Sequence, residues 1–529
     1  MSDVARSTGR GFLLIIGAKA WFLVSGALIS LGMPALFAKF SSTGSGTAEF
    51  GVWGVVINLV SVFNMMMITG TLQAVAKLVS EQPEHSNRIA IAALKIQLFI
   101  GVPVGAAYIL LAPLTASALN DPNLVPLLRI SGAIILLYSF YAIFVGYLNG
   151  RKQFGTQAGL DILFATLKTA LVLGAVVVGA GVLGAVAGFV ATAAILTCLA
   201  GLVVWKRGKA EAQSREPIQG IALKLLRYMI LVMGYTFALN VIIRIDLLFV
   251  KSLAGQGDLL EVFVGAGAGT DTLANRLAGV YSAMTNVARL PYQAVIAITF
   301  VIFPLVSKAT FEGDKSAARQ YISQTLRYSL LMVAGMVTVL VAVRVPLVFA
   351  LFPIEYAAGA DALIWLAAAM LAFALMYVGT TILISAGRPG SSLIVSFVTL
   401  ALAVGLNYAL LHGIEPGWPM LERAGSATFA AIGGGALITL GLIAYHYRTS
   451  IPLGTAIRCV LSAAVIIGLC EFTVIGDLSP NFGGRLLKLG LVGLKMAILG
   501  ILFYALLYVM RELSDADRAR LRSVFRRGK

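Results

Sequence analysis

Charged residues are scarce in this chain, and acidic residues are scarcer than basic ones. Only 12% of the 529 residues are Asp, Glu, Lys or Arg, and 23 acids stand against 40 Lys and Arg. Soluble domains are about a quarter charged and about 45–50% apolar, whereas this chain is 59% hydrophobic with a mean hydropathy of +0.93. The composition excludes an ordinary soluble protein and predicts a polytopic membrane protein.

Cysteine, histidine and nucleotide-binding motifs are also sparse. Cys198, Cys459 and Cys470 form no C-x-x-C pair, and we expect them to be small buried hydrophobes without a disulfide or metal. The three histidines lie far apart, so no metal site or other cofactor is predicted. No G-x-x-x-x-G-K-[ST] loop exists, which excludes direct use of ATP through such a loop.

Long hydrophobic runs dominate the chain instead. A membrane-spanning helix needs about 20 apolar residues. The runs predict an all-α protein with about 14 transmembrane helices, near 11–38, 52–78, 89–116, 126–148, 158–180, 183–205, 225–253, 277–306, 327–351, 361–386, 391–412, 426–447, 453–475 and 486–510. The run 174–188 is too long for one helix, so a tight turn is predicted around Gly179–Gly181.

The longest polar segment, KRGKAEAQSREPIQG at 206–220, divides the chain into two halves of six helices. Duplicated halves with a path between them are common in transporters. The predicted organisation is an N-terminal lobe 1–205, a linker 206–224, a C-terminal lobe 225–447, two extra helices within 453–510 and a basic amphipathic tail 511–529.

Along the chain, loops that are rich in basic residues alternate with loops that are poor in them. The positive-inside rule then predicts cytoplasmic N- and C-termini. Under this orientation Lys251 belongs to an outer loop, and the acidic, glycine-rich segment 255–275 forms the longest outer loop. The basic residues are dispersed over several inner segments, so nucleic acid is not an expected partner.

Several charges fall inside the predicted spans, where a charge is costly and commonly marks a transport path. The basic ones are Lys19, Lys168, Arg244, Arg289, Arg344 and Lys495, and the acidic ones are Asp161 and Asp246. The excess of cations predicts an anionic substrate, with Asn240 sharing a helix face with Arg244 and the acids as candidates for ion coupling. The competing interpretation is structural, because Lys and Arg near helix ends can extend to the interface.

Four segments resemble a known family. They are GYLNGRKQFGTQAGLDILFATLK (146–168), IFPLVSKATFEGDKSAARQY (302–321), LFPIEYAAGADALIWL (351–366) and SAGRPGSSLIVSFVTLALAVGLNYALL (385–411). Their order and spacing are similar to the polysaccharide transporter branch of the multidrug/oligosaccharidyl-lipid/polysaccharide exporter (MOP) superfamily. The resemblance implies a flippase that moves a polyprenyl-diphosphate-linked oligosaccharide from the inner to the outer leaflet of the bacterial inner membrane, with membrane lipids and polysaccharide polymerase or export proteins as partners.

Three alternatives stay open at this point. A lipid II flippase would also have 14 helices and a cationic cavity, and a multidrug cation exporter belongs to the same superfamily but would need more membrane carboxylates. The third alternative is an enzyme, and the evidence for it is Asp515 and Asp517, whose D-x-D spacing could hold a metal and a sugar nucleotide. The acidic pair fits better in the first turn of the amphipathic tail helix, so a transporter is the preferred interpretation.

Overall fold

The computed structural model describes residues 2–41, 45–210, 220–263, 272–472 and 484–512. For 2–16, 19, 208–210, 257–263, 296–305, 472, 485 and 486 it describes the backbone alone. Within these ranges the chain is helical without strands, and 13 helical segments are long and apolar enough to cross a membrane. The predicted all-α polytopic fold is confirmed.

The chain divides into two compact units. Unit 1 contains Met1–Ala283 with Leu411–Met420, and unit 2 contains Met284–Leu410 with Leu421–Lys529. The lobe boundaries at 205 and 225 stay a prediction.

Within the described residues, unit 1 contains ten α-helices and most of an eleventh. They are α1 (Ser2–Phe40), α2 (Gly46–Glu81), α3 (Ser86–Phe99), α4 (Gly101–Leu110), α5 (Ala112–Ala118), α6 (Leu124–Gly150), α7 (Phe154–Val177), α8 (Gly181–Ala210), α9 (Ile221–Ile242), α10 (Ile245–Phe263) and most of α11 (Leu273–Ala288). The predicted turn between α7 and α8 is confirmed: Gly179 and Gly181 have φ of 80° and 58°, a left-handed conformation that glycine adopts without strain.

Close backbone approach positions α2 at the centre of unit 1. A Cβ atom on Gly51 would lie 1.9 Å from the Asn275 carbonyl oxygen, and one on Gly279 would lie 2.1 Å from the Thr47 carbonyl oxygen. Only glycine fits at these two crossings of α2 and α11, which is the usual device for packing helices in a membrane. The outcome is that polar residues of α2 face polar residues of α10 and α11.

The helices of unit 2 follow the end of α11. They are α12 (Leu290–Phe311), α13 (Lys315–Ala342), α14 (Arg344–Leu351), α15 (Ala362–Ser385), α16 (Pro389–Leu411), α17 (Pro419–Tyr447), α18 (Leu453–Phe472) and α19 (Arg485–Val509). α13 packs against α12, α15, α18 and α19. Asp314 caps its start by accepting hydrogen bonds from the backbone N–H groups of Ser316 and Ala317 at 3.1 and 2.9 Å.

Two sequence expectations about elements are corrected. The segment 255–263 continues α10 as helix, so the outer loop does not begin at 255; residues 264–271 of that predicted loop lie outside the described residues. The prediction that all three cysteines are buried is wrong at Cys198, which is exposed on α8. Most of the predicted tail, with Asp515 and Asp517, also lies outside the described residues.

Candidate functional site

Three of the predicted intramembrane cations lie where a helix is interrupted. Arg244 lies between α9 and α10, Arg289 lies between α11 and α12, and Arg344 is the first residue of α14 directly after α13. These interruptions fall inside the predicted spans 225–253, 277–306 and 327–351. Each span therefore consists of two shorter helices with an arginine at the junction.

Proline explains two of the interruptions. The sequence reads Arg289-Leu-Pro291 at one and Arg344-Val-Pro346 at the other. A proline has no N–H for the carbonyl four residues earlier, and its ring clashes with that carbonyl, so the helix breaks within the preceding turn. The break at Arg244 has no proline nearby; its N–H instead bonds to the Val241 carbonyl oxygen at 3.0 Å, a tight last turn.

An arginine at such a junction also lies at the N-terminus of the second half-helix. The first N–H groups of a helix have no intrahelical acceptor and carry a partial positive charge. Half-helix N-termini at membrane depth are a recurring means of holding anionic groups in transporters. The guanidinium and the helix end together create a positive local field at Arg289, the cap residue of α12.

Around Arg244, α2, α10 and α11 form one polar cluster. The Arg244 Nη1 donates to Asn58 Oδ1 at 2.8 Å. Asp246, only 1% exposed, accepts the Tyr281 hydroxyl at 2.8 Å and the Leu247 N–H at 2.8 Å. The structure thus brings two predicted site residues, Arg244 and Asp246, into one cluster with Asn58 and Tyr281.

Asn240 lies one turn before this cluster. Its Nδ2 donates to the Thr236 carbonyl oxygen at 2.9 Å, within its own helix. The side-chain nitrogen of Asn240 is thus used in a hydrogen bond to a backbone carbonyl, and its side-chain oxygen is the atom suited to contact a further group.

Arg344 is matched by carboxylates. Its Nη1 lies 2.6 Å from Glu471 Oε1, and its Nε lies 3.2 Å from Asp361 Oδ1. The two acids are about half exposed, at 50% and 60%, whereas the Arg344 side chain is 16% exposed. This arrangement ties α14 to α18 and to the start of α15, and it fits a structural role better than a substrate contact.

Lys168 and Asp161 lie among aromatic rings of α6, α7 and α8. The Lys168 Nζ is 4.0 Å from the centroid of Phe189 and 5.8 Å from that of Phe164. Asp161 is buried, at 9% exposure, on the same helix. A cation over aromatic faces is stabilised without a carboxylate.

The remaining predicted cations are less well defined. The side chain of Lys19 lies outside the described residues. Lys495 is half-buried on α19.

One buried ion pair escaped the sequence analysis. Lys251, expected in an outer loop, is 1% exposed; its Nζ lies 2.8 Å from Asp121 Oδ2 and 2.7 Å from Asn275 Oδ1. Next to it, Asn120 donates to the Ser252 carbonyl oxygen at 2.8 Å. These bonds join α10, α11 and the turn before α6, and the clue in the sequence was Asn-Asp-Pro at 120–122, a turn motif carrying a carboxylate.

A second unpredicted cluster surrounds Glu512, just after α19. Its carboxylate, 2% exposed, accepts hydrogen bonds from Arg327 Nε (2.8 Å), Arg458 Nη1 (2.5 Å) and Thr455 Oγ1 (2.6 Å). Burial alone raises the pKa of the Glu512 carboxyl, but the bonds from Thr455 and the two arginines outweigh burial and hold its pKa below the ordinary 4.5. The cluster joins α13, α18 and the end of α19.

A family model described as "Polysaccharide biosynthesis protein" matches residues 16–310, more than half of the chain. The chain belongs to this family. A curated relative, the "Uncharacterized membrane protein YabM" of Bacillus subtilis (strain 168), is 22% identical over 428 residues, 78% of each protein.

Solved structures share the fold. "Lipid II flippase MurJ, inward closed conformation" superimposes with a TM-score of 0.68 at 13% identity, covering 93% of this chain and 99% of that one. An inward-facing multidrug resistance transporter of the MATE family, in the MOP superfamily, gives a TM-score of 0.59 at 16% identity over 80% of this chain and 99% of that one. The family match agrees with the predicted polysaccharide branch, and the two superpositions show that this chain shares its fold with a flippase and with a multidrug transporter.

Proposed function

We propose that this protein is a flippase that moves a polyprenyl-diphosphate-linked oligosaccharide from the inner to the outer leaflet of a bacterial cytoplasmic membrane, for surface polysaccharide synthesis. The observation that carries the proposal is the junction at Arg289. It combines a guanidinium with the N-terminus of α12 at a helix break inside the predicted span 277–306.

A diphosphate fits this junction chemically. Arginine binds phosphate oxygens through two parallel N–H groups, and the half-helix end supplies further donors. Arg244, with Asn58 and Asn240 beside it, and Lys168, over its aromatic rings, are proposed as further cations along the path. Lys19 is proposed on its sequence position alone, and Arg344 is the weakest member because it is already ion-paired.

Alternating access in such a protein needs an energy source. An interior-negative potential contributes about 2.3 kcal/mol per charge per 100 mV, so about two negative charges moving outward would gain about 4–5 kcal/mol at 100 mV. Asp246 and Asp161 are proposed as groups that couple an ion to this movement, because both are buried carboxylates on helices of unit 1. Outer-leaflet polymerase or export proteins are the proposed partners.

A lipid II flippase is the second candidate. It is favoured by the coverage of the MurJ superposition, 93% of this chain at a TM-score of 0.68. Lipid II also carries a diphosphate, so the same cations would serve, and the two candidates differ in the sugar and peptide portion. A multidrug cation exporter is disfavoured by the excess of cations over carboxylates within the spans.

The test is flipping in proteoliposomes. The purified protein would be reconstituted into three sets of vesicles, which contain a short polyprenyl-diphosphate oligosaccharide, lipid II or a cationic dye. Each set would be measured with and without an imposed membrane potential. An impermeant glycosidase would measure leaflet exposure of the oligosaccharide. We expect flipping that depends on the protein. Its rate should be lower in the Arg289→Gln variant and unchanged in the control Arg319→Gln, which alters an exposed arginine.

Each other outcome has a distinct meaning. Flipping of lipid II alone would replace the first candidate with the second. Dye efflux without lipid flipping would reject both. Flipping that ignores the imposed potential would reject the potential as the driving force and leave ion coupling through Asp246 or Asp161 to be measured.

A further inference from the structure

A groove on unit 1 lies apart from the polar cluster at Arg244. It runs between α6 and α8, has a volume of about 670 Å³, and is walled by the rings of Phe140, Phe144 and Trp205 with Leu202 and Cys198. This volume is within the range of about 300–1,000 Å³ typical of small-molecule sites. We refer to it as the α6–α8 groove.

The wall of the groove offers apolar surface to an occupant. The Thr197 hydroxyl is turned to backbone carbonyls, donating to Leu137 at 3.1 Å and Ala193 at 2.7 Å. At Gly201 a Cβ would lie 3.3 Å from the Phe144 ring, so the absence of a side chain leaves room beside that ring. Trp205 is 58% exposed. These features suit a hydrocarbon chain.

One end of the groove is basic. α6 ends at Gly150 and is followed by Arg151 and Lys152, while Trp205 of α8 is followed by Lys206 and Arg207. The Arg207 Nη1 donates to Gln153 Oε1 at 2.5 Å, which joins the two helix ends. Lys152, Lys206 and Arg207 are exposed.

Among the described residues at this end, the acids lie on a different segment. Glu81 and Glu84 are on the turn from α2 to α3, where Arg151 donates to the Pro83 carbonyl oxygen at 2.9 Å. Positive charge therefore predominates at the groove end. Tryptophan beside Lys and Arg is the composition of a membrane–water interface, where phospholipid headgroups lie.

We propose that the α6–α8 groove is a binding site for an anionic phospholipid, with an acyl chain along Phe140, Phe144 and Trp205 and the phosphate at Lys206 and Arg207. The apolar wall selects a lipid chain, and the basic end selects a net negative headgroup over a zwitterionic one. None of the residues that line the groove is among the cations proposed for the transport path.

The test uses the purified full-length protein and native mass spectrometry. Phosphatidylglycerol and phosphatidylcholine with identical acyl chains would be added at equal concentration, and bound copies counted. We expect phosphatidylglycerol to be retained preferentially and the double variant Lys206→Gln/Arg207→Gln to bind it about thirtyfold more weakly, at about 1 kcal/mol per cation near a headgroup. The matched control Lys315→Gln/Arg319→Gln, also exposed, is expected to bind as the wild type does.

The thiol of Cys198 provides an independent measurement that needs no folding-sensitive substitution. Alkylation with N-phenylmaleimide would fill the groove and is expected to remove the bound phosphatidylglycerol, while Cys198→Ser treated in the same way keeps it. Equal retention of both lipids, or retention after alkylation of Cys198, would overturn the proposal. Displacement of phosphatidylglycerol by a tenfold lower concentration of polyprenyl phosphate would also overturn it, by assigning the groove to a polyprenyl chain.

Discussion

The junctions at Arg289 and Arg344 are built from the same local sequence and have different surroundings. Both are Arg-x-Pro, and both open a half-helix. Arg344 lies within 3.2 Å of two carboxylates, Asp361 and Glu471, whereas the chain around Arg289 carries no acid from 277 to 311. The same local sequence is thus ion-paired at Arg344, whereas at Arg289 the guanidinium caps α12 in a stretch of sequence without acidic residues.

The comparison teaches that a cation at membrane depth is not by itself evidence for substrate binding. A helix break needs only the proline, because the lost N–H and the ring clash act locally. Whether the charge is available depends on carboxylates contributed by distant segments, Glu471 being 127 residues away from Arg344. The predictions below test this difference, beginning with the largest effect.

Replacing Arg289 and replacing Arg344 should have different effects on the rate of transport. Arg289→Ala is expected to reduce flipping of the polyprenyl-diphosphate oligosaccharide by about tenfold to a hundredfold, since hydrogen bonds to a charged group contribute about 1.5–3 kcal/mol. Arg344→Ala should reduce it less than about threefold, because half-exposed pairs contribute little. Equal losses in the two variants would refute the distinction, and Arg289→Lys should recover part of the activity.

The Glu512 cluster allows the contribution of a buried carboxylate paired with two arginines to the free energy of unfolding to be measured. Glu512→Gln removes the charged acceptor of Arg327 and Arg458, and we expect a loss of about 1.5 kcal/mol in the free energy of unfolding, the lower end for charged hydrogen bonds because Arg458 is 39% exposed. Thermal unfolding in detergent measures it. Flipping at a temperature where the variant is folded should be unchanged.

The same carboxyl predicts a pH dependence. Its pKa is lower in the folded than in the unfolded protein, so its stabilisation is complete above the ordinary value of 4.5 and is lost as the pH falls through the folded-state pKa. Wild type should therefore lose its stability advantage over Glu512→Gln below about pH 4.5. A constant difference between the two proteins from pH 7 to pH 3 would contradict the assignment.

A carboxylate placed beside Arg244 should offset the positive charge of its guanidinium. Asn58→Asp puts a negative charge at the atom that now lies 2.8 Å from Arg244 Nη1. We expect flipping to fall about fivefold, equivalent to about 1 kcal/mol, without loss of thermal stability. Asn58→Ala, which removes the hydrogen bond and leaves the guanidinium charge, is the control and should retain more activity than Asn58→Asp.

The smallest effect is expected from the prolines. Pro291→Ala and Pro346→Ala each restore an N–H to a broken helix, and stability should change by less than about 1 kcal/mol because the prolines already fit the conformation they occupy. Hydrogen exchange at the carbonyl-facing turns before each proline would report whether the helix becomes continuous. Slower exchange would show that the helix has become continuous, and unchanged exchange in both variants would show that the breaks do not depend on proline.

Much of the fold was predictable because the membrane leaves few options. An apolar run of about 20 residues must be helical when its backbone has no water to bond with, and the turn at Gly179–Gly181 follows from the same length argument. The span at 277–306 was predicted as one helix although Arg289-Leu-Pro291 signals a break. Reading proline positions inside the runs would have placed two of the three arginine junctions, while the junction at Arg244 has no such signal.

The candidate site was predicted only in part. The sequence named Arg244, Asp246 and Arg289, since an isolated charge in an apolar run stands out whatever the tertiary structure. It assigned Lys251 to a loop because that residue lies near the end of a run, yet Asp121 and Asn275 bury it in an ion pair. Partners separated by 130 residues leave no local pattern.

The amino-acid sequence by itself determined that this protein is a helical membrane protein with excess positive charge inside its spans, because hydropathy and charge are properties of each segment alone. The tertiary structure decided which of those charges are matched and which face a half-helix end. It also decided that Cys198 lines an apolar groove and that the Glu512 carboxylate accepts hydrogen bonds from two arginines. The physical reason is that electrostatic pairing and burial depend on distances between segments, and those distances exist only after the helices have packed.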